Sequence, residues 1–246
     1  MKRISNVGFS VSGHPSVFVM LIAILVCSAT PAMAQNAAGG LKQQVAALKA
    51  EMAASQASLR QYEWIETTVI SVNGEEKART QTQCYYGADG VLEKVDVVAP
   101  PPPEHKHGIR GRIAEKKKAE MTDYMKSAVA LMKTYVPPDP AKLQAVMDAG
   151  DVTIQPRDNG QRVRLDFSNY EKAGDSLAIE VDLSSHKPTG ISVASYLDEP
   201  SDAVNLGVIM SSLEDGTVYP STTTLDAQAK NLVVTTTNSG YRKKGS

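Results

Sequence analysis

The sequence predicts a β-rich α+β fold: a large, curved antiparallel sheet of about ten strands, an open half-barrel, with inserted helices as its cover. Three observations carry that expectation. Stretches 62–98 and 151–242 read as strands and turns, with apolar and polar residues alternating at period two along many of them and Asn, Asp and Gly turns roughly every 8–12 residues. Between them, 110–135 and 141–149 place apolar residues at three- and four-residue steps, the period of a helix. Finally, about ten strands in one antiparallel sheet must curl or split to bury a face, and the inserted helices are the natural cover for the concave side. A two-sheet sandwich with the helices at one edge is the alternative.

The elements follow in chain order. Lys2 and Arg3 precede the apolar run Ser16–Val26, and Pro31-Ala32-Met33-Ala34 then places small residues at both positions of an A-x-A cleavage site. This is the pattern of a secretory signal peptide, residues 1–34, cleaved after Ala34. The run is short of the roughly 20 residues that a membrane span needs. The expected location is the periplasm. Cys27 would be the site of a lipid anchor in a second reading, but Val26 stands where that modification wants a small residue.

Residues 35–40 form a small, polar lead-in to a single domain, 41–240. Leu41, Val45, Leu48, Met52 and Leu59 follow helical spacing to about Arg60. Tyr62 to Val72 is rich in β-branched and aromatic residues, and Asn73-Gly74 is a strong hairpin signal. Lys77 to Tyr86 returns, Gly87-Ala88-Asp89-Gly90 turns, and Val91 to Val98 completes a three-stranded meander. The run Pro100–Pro103 ends it, because proline cannot donate to a strand ladder. A long helix is expected over Arg110–Tyr135 and a short one over Ala141–Ala149, with Pro140 in its first turn and Gly150 as its cap. About seven strands follow, and Tyr241 to Ser246 is expected to be a frayed, disordered tail.

This organisation resembles the LolA-like family of periplasmic lipoprotein carriers. The resemblance covers most of 41–240. It rests on the exported amino terminus, the leading helix feeding Tyr62-Glu63-Trp64 and the Asn73-Gly74 hairpin, the Tyr86-Gly87-Ala88-Asp89-Gly90 turn, and helices inserted before a long run of strands. The chain departs from the better-known carriers in Pro100–Pro103 and in its basic helix start. The resemblance implies an unclosed barrel with a helical lid and a cavity for an acyl chain or another apolar ligand, without catalysis. It equally covers relatives that sense ligands or bind proteins, and no functional residue of the family maps onto a position here.

Composition narrows the chemistry. The chain has 246 residues and a net charge of −1, and the leader removes two of its positive charges. A near-neutral exported chain is not a nucleic-acid binder by charge. Cys84 is the one cysteine after the leader, so no internal disulfide is available, and a strand position makes it a small buried hydrophobe rather than a reactive thiol. Met121, Met125 and Met132 share one face of the long helix; adaptable thioethers suit a lid over a variable apolar ligand, and also an ordinary core. Trp64 would face the same cavity or simply pack. Lys106, Arg110, Arg112, Lys116, Lys117 and Lys118, opposed in that window by Glu115, form a basic segment. It would meet a membrane surface or an acidic envelope protein, or else be a solvated helix face. Lipids and lipoproteins are the other candidate partners. Glu104-His105-Lys106-His107 has too few ligands on a rigid frame for a metal site, with His186 distant in sequence. No elbow, zincin, redox or phosphate-loop motif is present, and Ser185-His186 adjacency does not make a catalytic pair. No catalytic residue, metal or cofactor is expected.

Overall fold

The computed structural model describes residues 54–97, 109–136 and 138–245. The expected leader and lead-in, and Lys106 with its flanking histidines, lie outside the described residues. The described part of the first helix, α1, is residues 54–59. It is followed by β1 (Tyr62–Val72), β2 (Glu75–Tyr86), β3 (Leu92–Asp96), α2 (Ile109–Met132) and α3 (Pro140–Ala149). Seven further strands complete the chain: β4 (Val152–Arg157), β5 (Arg162–Ser168), β6 (Ser176–Asp182), β7 (Pro188–Tyr196), β8 (Ala203–Ser212), β9 (Val218–Ala227) and β10 (Leu232–Lys243).

All ten strands belong to one antiparallel sheet in the order β3-β2-β1-β10-β9-β8-β7-β6-β5-β4. The sandwich alternative is therefore excluded. The pairing of β1 with β10, Thr68 opposite Thr236 and Ile70 opposite Val234, joins the two runs of strands into one surface. The outermost strands, β3 and β4, do not pair, so the sheet is an unclosed half-barrel. They are consecutive in the chain, and α2 and α3 lie between them in sequence. The helices thus carry the chain from one free edge to the other.

Strand direction fixes which end the helices occupy. The β1–β2, β5–β6, β7–β8 and β9–β10 turns share one end, where Asn73 N–H bonds Asn231 O at 2.9 Å. β3 ends and β4 begins at that same end, so α2 and α3 close it. The β2–β3, β4–β5, β6–β7 and β8–β9 turns form the opposite end, into which α1 feeds. There Val218 N–H donates to the buried Ser55 Oγ at 3.0 Å.

The core lies between the helices and the near half of the sheet. Met125, Ala128, Val129, Met132 and Tyr135 of the α2 segment and Leu143 and Val146 of α3 meet Phe167, Leu177, Ile179, Val193, Leu206, Leu225 and Leu232 from the strands. The hairpin signal is realised with Asn73 at φ 54° and Gly74 at φ 78°, the positive pair of a turn whose twist matches the strands. α2 stops at Met132, short of the expected Tyr135, and 133–135 turn tightly. The prolines beyond it explain the stop, since the residue before proline avoids helical geometry.

One expectation changes at the carboxyl end. Residues 241–243, read as part of a disordered tail, are the last residues of β10. Between the pairs Ile65–Ser239 and Glu63–Arg242 the β10 side holds one extra residue, and Gly240 there adopts φ 64°. This bulge shifts the alternation and turns Tyr241 inward onto Trp64, which holds the strand end in place.

Candidate functional site

The concave face has two unlike halves. At the helix-closed end it is apolar. The stripe Met121, Met125, Ala128, Met132 follows the helical period, so a single face of α2 meets the strands. Met132 is fully buried, Met125 is buried, and Met121 is half-buried against the same cluster. The thioethers named from the sequence are therefore side by side over the sheet.

Three tyrosines fasten this cover to the turns at its end. Tyr124 Oη donates to Asp202 Oδ1 in the β7–β8 turn at 2.6 Å. Tyr135 Oη donates to Asp175 in the β5–β6 turn and accepts from Ser195 Oγ on β7 at 2.7 Å. Asp175 Oδ2 also accepts the N–H groups of Glu171 and Lys172. Tyr170 Oη accepts Asp139 N–H ahead of α3 at 2.6 Å. Burial, reinforced by the carboxylates, pushes the Tyr124 and Tyr135 hydroxyls well above the usual phenol range, and burial raises Tyr170 to about 12. All three stay protonated at any physiological pH, so these fastenings do not act as a pH switch.

The other half, toward the α1 end, is aromatic and polar. Trp64 stacks on Tyr241 at 5.4 Å between ring centroids, and Tyr241 also meets Tyr62 and Tyr219. Trp64 Nε1–H donates to Asn238 Oδ1 at 3.2 Å, and the Tyr86 ring packs against it at a tilt, 6.0 Å between centroids. Trp64 is thus placed in this aromatic group and not with the methionines of the helical cover. Beside it, Lys94 on β3 donates to both carboxylate oxygens of Glu66 on β1 at 2.7 and 2.8 Å. Glu66 is only 6 % exposed. Cys84 lies opposite both Trp64 and Lys94 across the ladder and is fully buried.

Burial, helped by the Glu66 carboxylate, pushes the Cys84 thiol above its ordinary value. The thiol is therefore both enclosed and protonated, the reverse of a reactive cysteine. In native buffer it is expected to resist alkylation by iodoacetamide for hours and to react completely once the chain is unfolded in guanidinium. Rapid modification of the folded protein, followed by mass spectrometry, would show that the aromatic half of the face opens readily.

The basic residues stand elsewhere. Arg112, Lys116, Lys117 and Lys118 are exposed on the first half of α2, Arg110 belongs to its first turn, and Lys116 pairs weakly with Glu120 at 3.9 Å. His186 occupies the β6–β7 turn at φ 57°, and the Ser185 hydroxyl there donates to Asp182 rather than to an imidazole. Among the described residues no group of three His, Cys, Asp or Glu is arranged to hold a metal. No described helix is long and apolar enough to cross a membrane.

Sequence reasoning missed the tyrosine fastenings and the Glu66–Lys94 pair. The pair had one local signal: Tyr62, Trp64 and Glu66 alternate onto the same face, which puts an acid where an apolar residue belongs. The tyrosines had none, because their partners are 31 to 78 residues away.

No family model matches the chain, and no curated protein matches it. Two solved structures are similar to it. One is a LolA superfamily protein from Nitrosomonas europaea, 9 % identical, covering 78 % of this chain and 92 % of that one with a TM-score of 0.34. The other is a DUF1329 family protein from Desulfovibrio piger, 8 % identical, covering 81 % and 92 % with a TM-score of 0.36.

Proposed function

We propose that this chain is an exported, non-catalytic carrier or sensor that binds an apolar ligand, a lipid or the acyl chain of a lipoprotein, on its concave face in the periplasm. One observation carries the reading. An unclosed antiparallel sheet holds its apolar concave half under a helix whose contact stripe is Met121, Met125 and Met132. Thioether side chains repack at low cost, so a cover built from them adapts to a flexible chain of methylenes. The two unpaired edges leave the half-barrel free to widen, which a closed barrel cannot do. Export by the leader puts such a protein between two membranes, where an apolar cargo needs shielding from water.

The test is native mass spectrometry of the protein purified from the cell envelope, combined with displacement of a hydrophobic dye by fatty acids. Adducts of lipid mass and displaceable dye are expected. A clean apo mass together with no displaceable dye binding would sink the reading.

A further inference from the structure

α2 changes character along its length. From Met121 onward one stripe is packed on the sheet. Before it, Arg112, Ile113 and every residue from Glu115 to Glu120 are exposed. About three turns of helix therefore stand beyond the sheet with their described side chains in water. So short a helical segment is marginal by itself, and Gly111 inside it weakens it further. Its charges do not help. Arg110 and Arg112 sit at the positive end of the helix dipole, and the first turn holds no acidic residue to offset them. A cationic cluster at that end costs helix stability, so its presence calls for a reason outside the fold.

Arrangement supplies one. Arg112, Ile113, Lys116 and Lys117 lie at three- and four-residue steps and so share a face, with Lys118 beside them. Ile113 is 53 % exposed in the middle of the cations. Cations around an exposed apolar side chain on one helical face are the features of an element that lies in a lipid headgroup layer. We propose that residues 109–120 dock this protein on an anionic lipid surface, with Ile113 entering the headgroup layer and Arg112, Lys116, Lys117 and Lys118 against the lipid phosphates. An acidic protein would satisfy the lysines, but it leaves Ile113 unused, and the segment offers no aromatic anchor for a protein interface. The proposal deepens the carrier reading and rests on it for its purpose. The docked half continues directly into the half that covers the apolar face, so docking sets the cover against the bilayer.

The experiment is flotation of the purified protein with vesicles of phosphatidylglycerol and phosphatidylcholine, and with vesicles of phosphatidylcholine alone. Binding to the anionic vesicles only, weakening as salt rises, is expected. The triple variant Lys116→Glu, Lys117→Glu, Lys118→Glu should bind at least roughly a hundredfold more weakly, since each cation near an anionic surface contributes about a fivefold factor. Ile113→Ser should weaken binding several-fold and leave its salt dependence unchanged. These side chains are exposed, so the variants should keep the thermal unfolding midpoint of the parent. Equal binding to neutral vesicles, no binding to either kind, or anionic binding indifferent to the triple reversal would each overturn the proposal. Capture on immobilised polyglutamate without vesicle binding would overturn it in favour of an acidic protein partner. Dye displacement without vesicles reads the apolar face separately. Dye binding retained with flotation lost means that docking alone fails; flotation retained with dye binding lost means that the carrier reading fails.

Discussion

Replacing Phe167 by alanine is expected to destabilise the protein by about 4 kcal/mol, the usual cost of removing a fully enclosed ring from a core. Phe167 has no exposed surface. It lies on β5 between Val152 of β4 and Leu177 of β6, in the same cluster as Leu143 and Val146 of α3 and Met132 of α2. Its loss therefore removes methylene and ring contacts and also undercuts the helical cover. For a domain of this size the melting midpoint should fall by roughly 10 °C. In urea the midpoint should shift while the slope stays constant, the mark of lost stability rather than of a changed unfolded state. Phe167→Leu should recover most of the loss. The size of the effect also informs the proposed function. A cost under about 1 kcal/mol would mean that the ring borders open or readily collapsing space, because the penalty of truncation grows with the cavity left behind. That outcome would mean that open volume already lies beside the ring in the unliganded protein.

How much of this was legible in the sequence follows from the range of the interactions concerned. Asn73-Gly74 announces its hairpin because the requirement for positive φ at two adjacent residues is local. Gly150, at φ 81°, marks the end of α3 for the same reason. Alternation in Leu177, Ile179 and Val181 matches the buried face of β6, but alternation alone does not mark where the strand stops: Leu183 keeps the same spacing, yet the strand ends at Asp182 and Leu183 is exposed in the turn. The pairing of β1 with β10 joins residues more than 150 apart, and no local pattern specifies it. Tyr241 escaped for a related reason: a one-residue bulge at Gly240 breaks the period on which the reading depends. In the concave face, the sequence grouped Trp64 with the methionines as one set of apolar side chains. They divide because α2 closes one end of the half-barrel, whereas Trp64 sits at the start of β1, toward the other. Strand direction decides that division, and direction becomes known only once the sheet order is known.

Breaking the Glu66–Lys94 pair from one side should cost about 3 kcal/mol, and removing both partners together should cost far less. Glu66 keeps 6 % of its surface, and both its carboxylate oxygens accept from Lys94. In Glu66→Ala the ammonium is left in a site that its ion partner no longer balances, beside the apolar Cys84 thiol and the Trp64 ring group. The remaining exposure of the Lys94 side chain, 18 %, lets some water reach it and keeps the loss at the lower end of the range for buried pairs. In Glu66→Met with Lys94→Met, two unbranched apolar side chains of similar length occupy the space, and stability should return to within about 1 kcal/mol of the parent. A double-mutant cycle in urea measures the coupling directly. If the single variant costs less than about 1 kcal/mol, the pair is solvated and the half of the concave face toward α1 is open to water. If the double variant is as unstable as the single, the pair is holding the edge strand β3 onto β2 and β1 through its geometry. The expected result, a costly single and a nearly neutral double, makes the pair replaceable as far as stability goes. The ion pair would then have to be explained by what the concave face meets, because an apolar pair would hold the strands equally well.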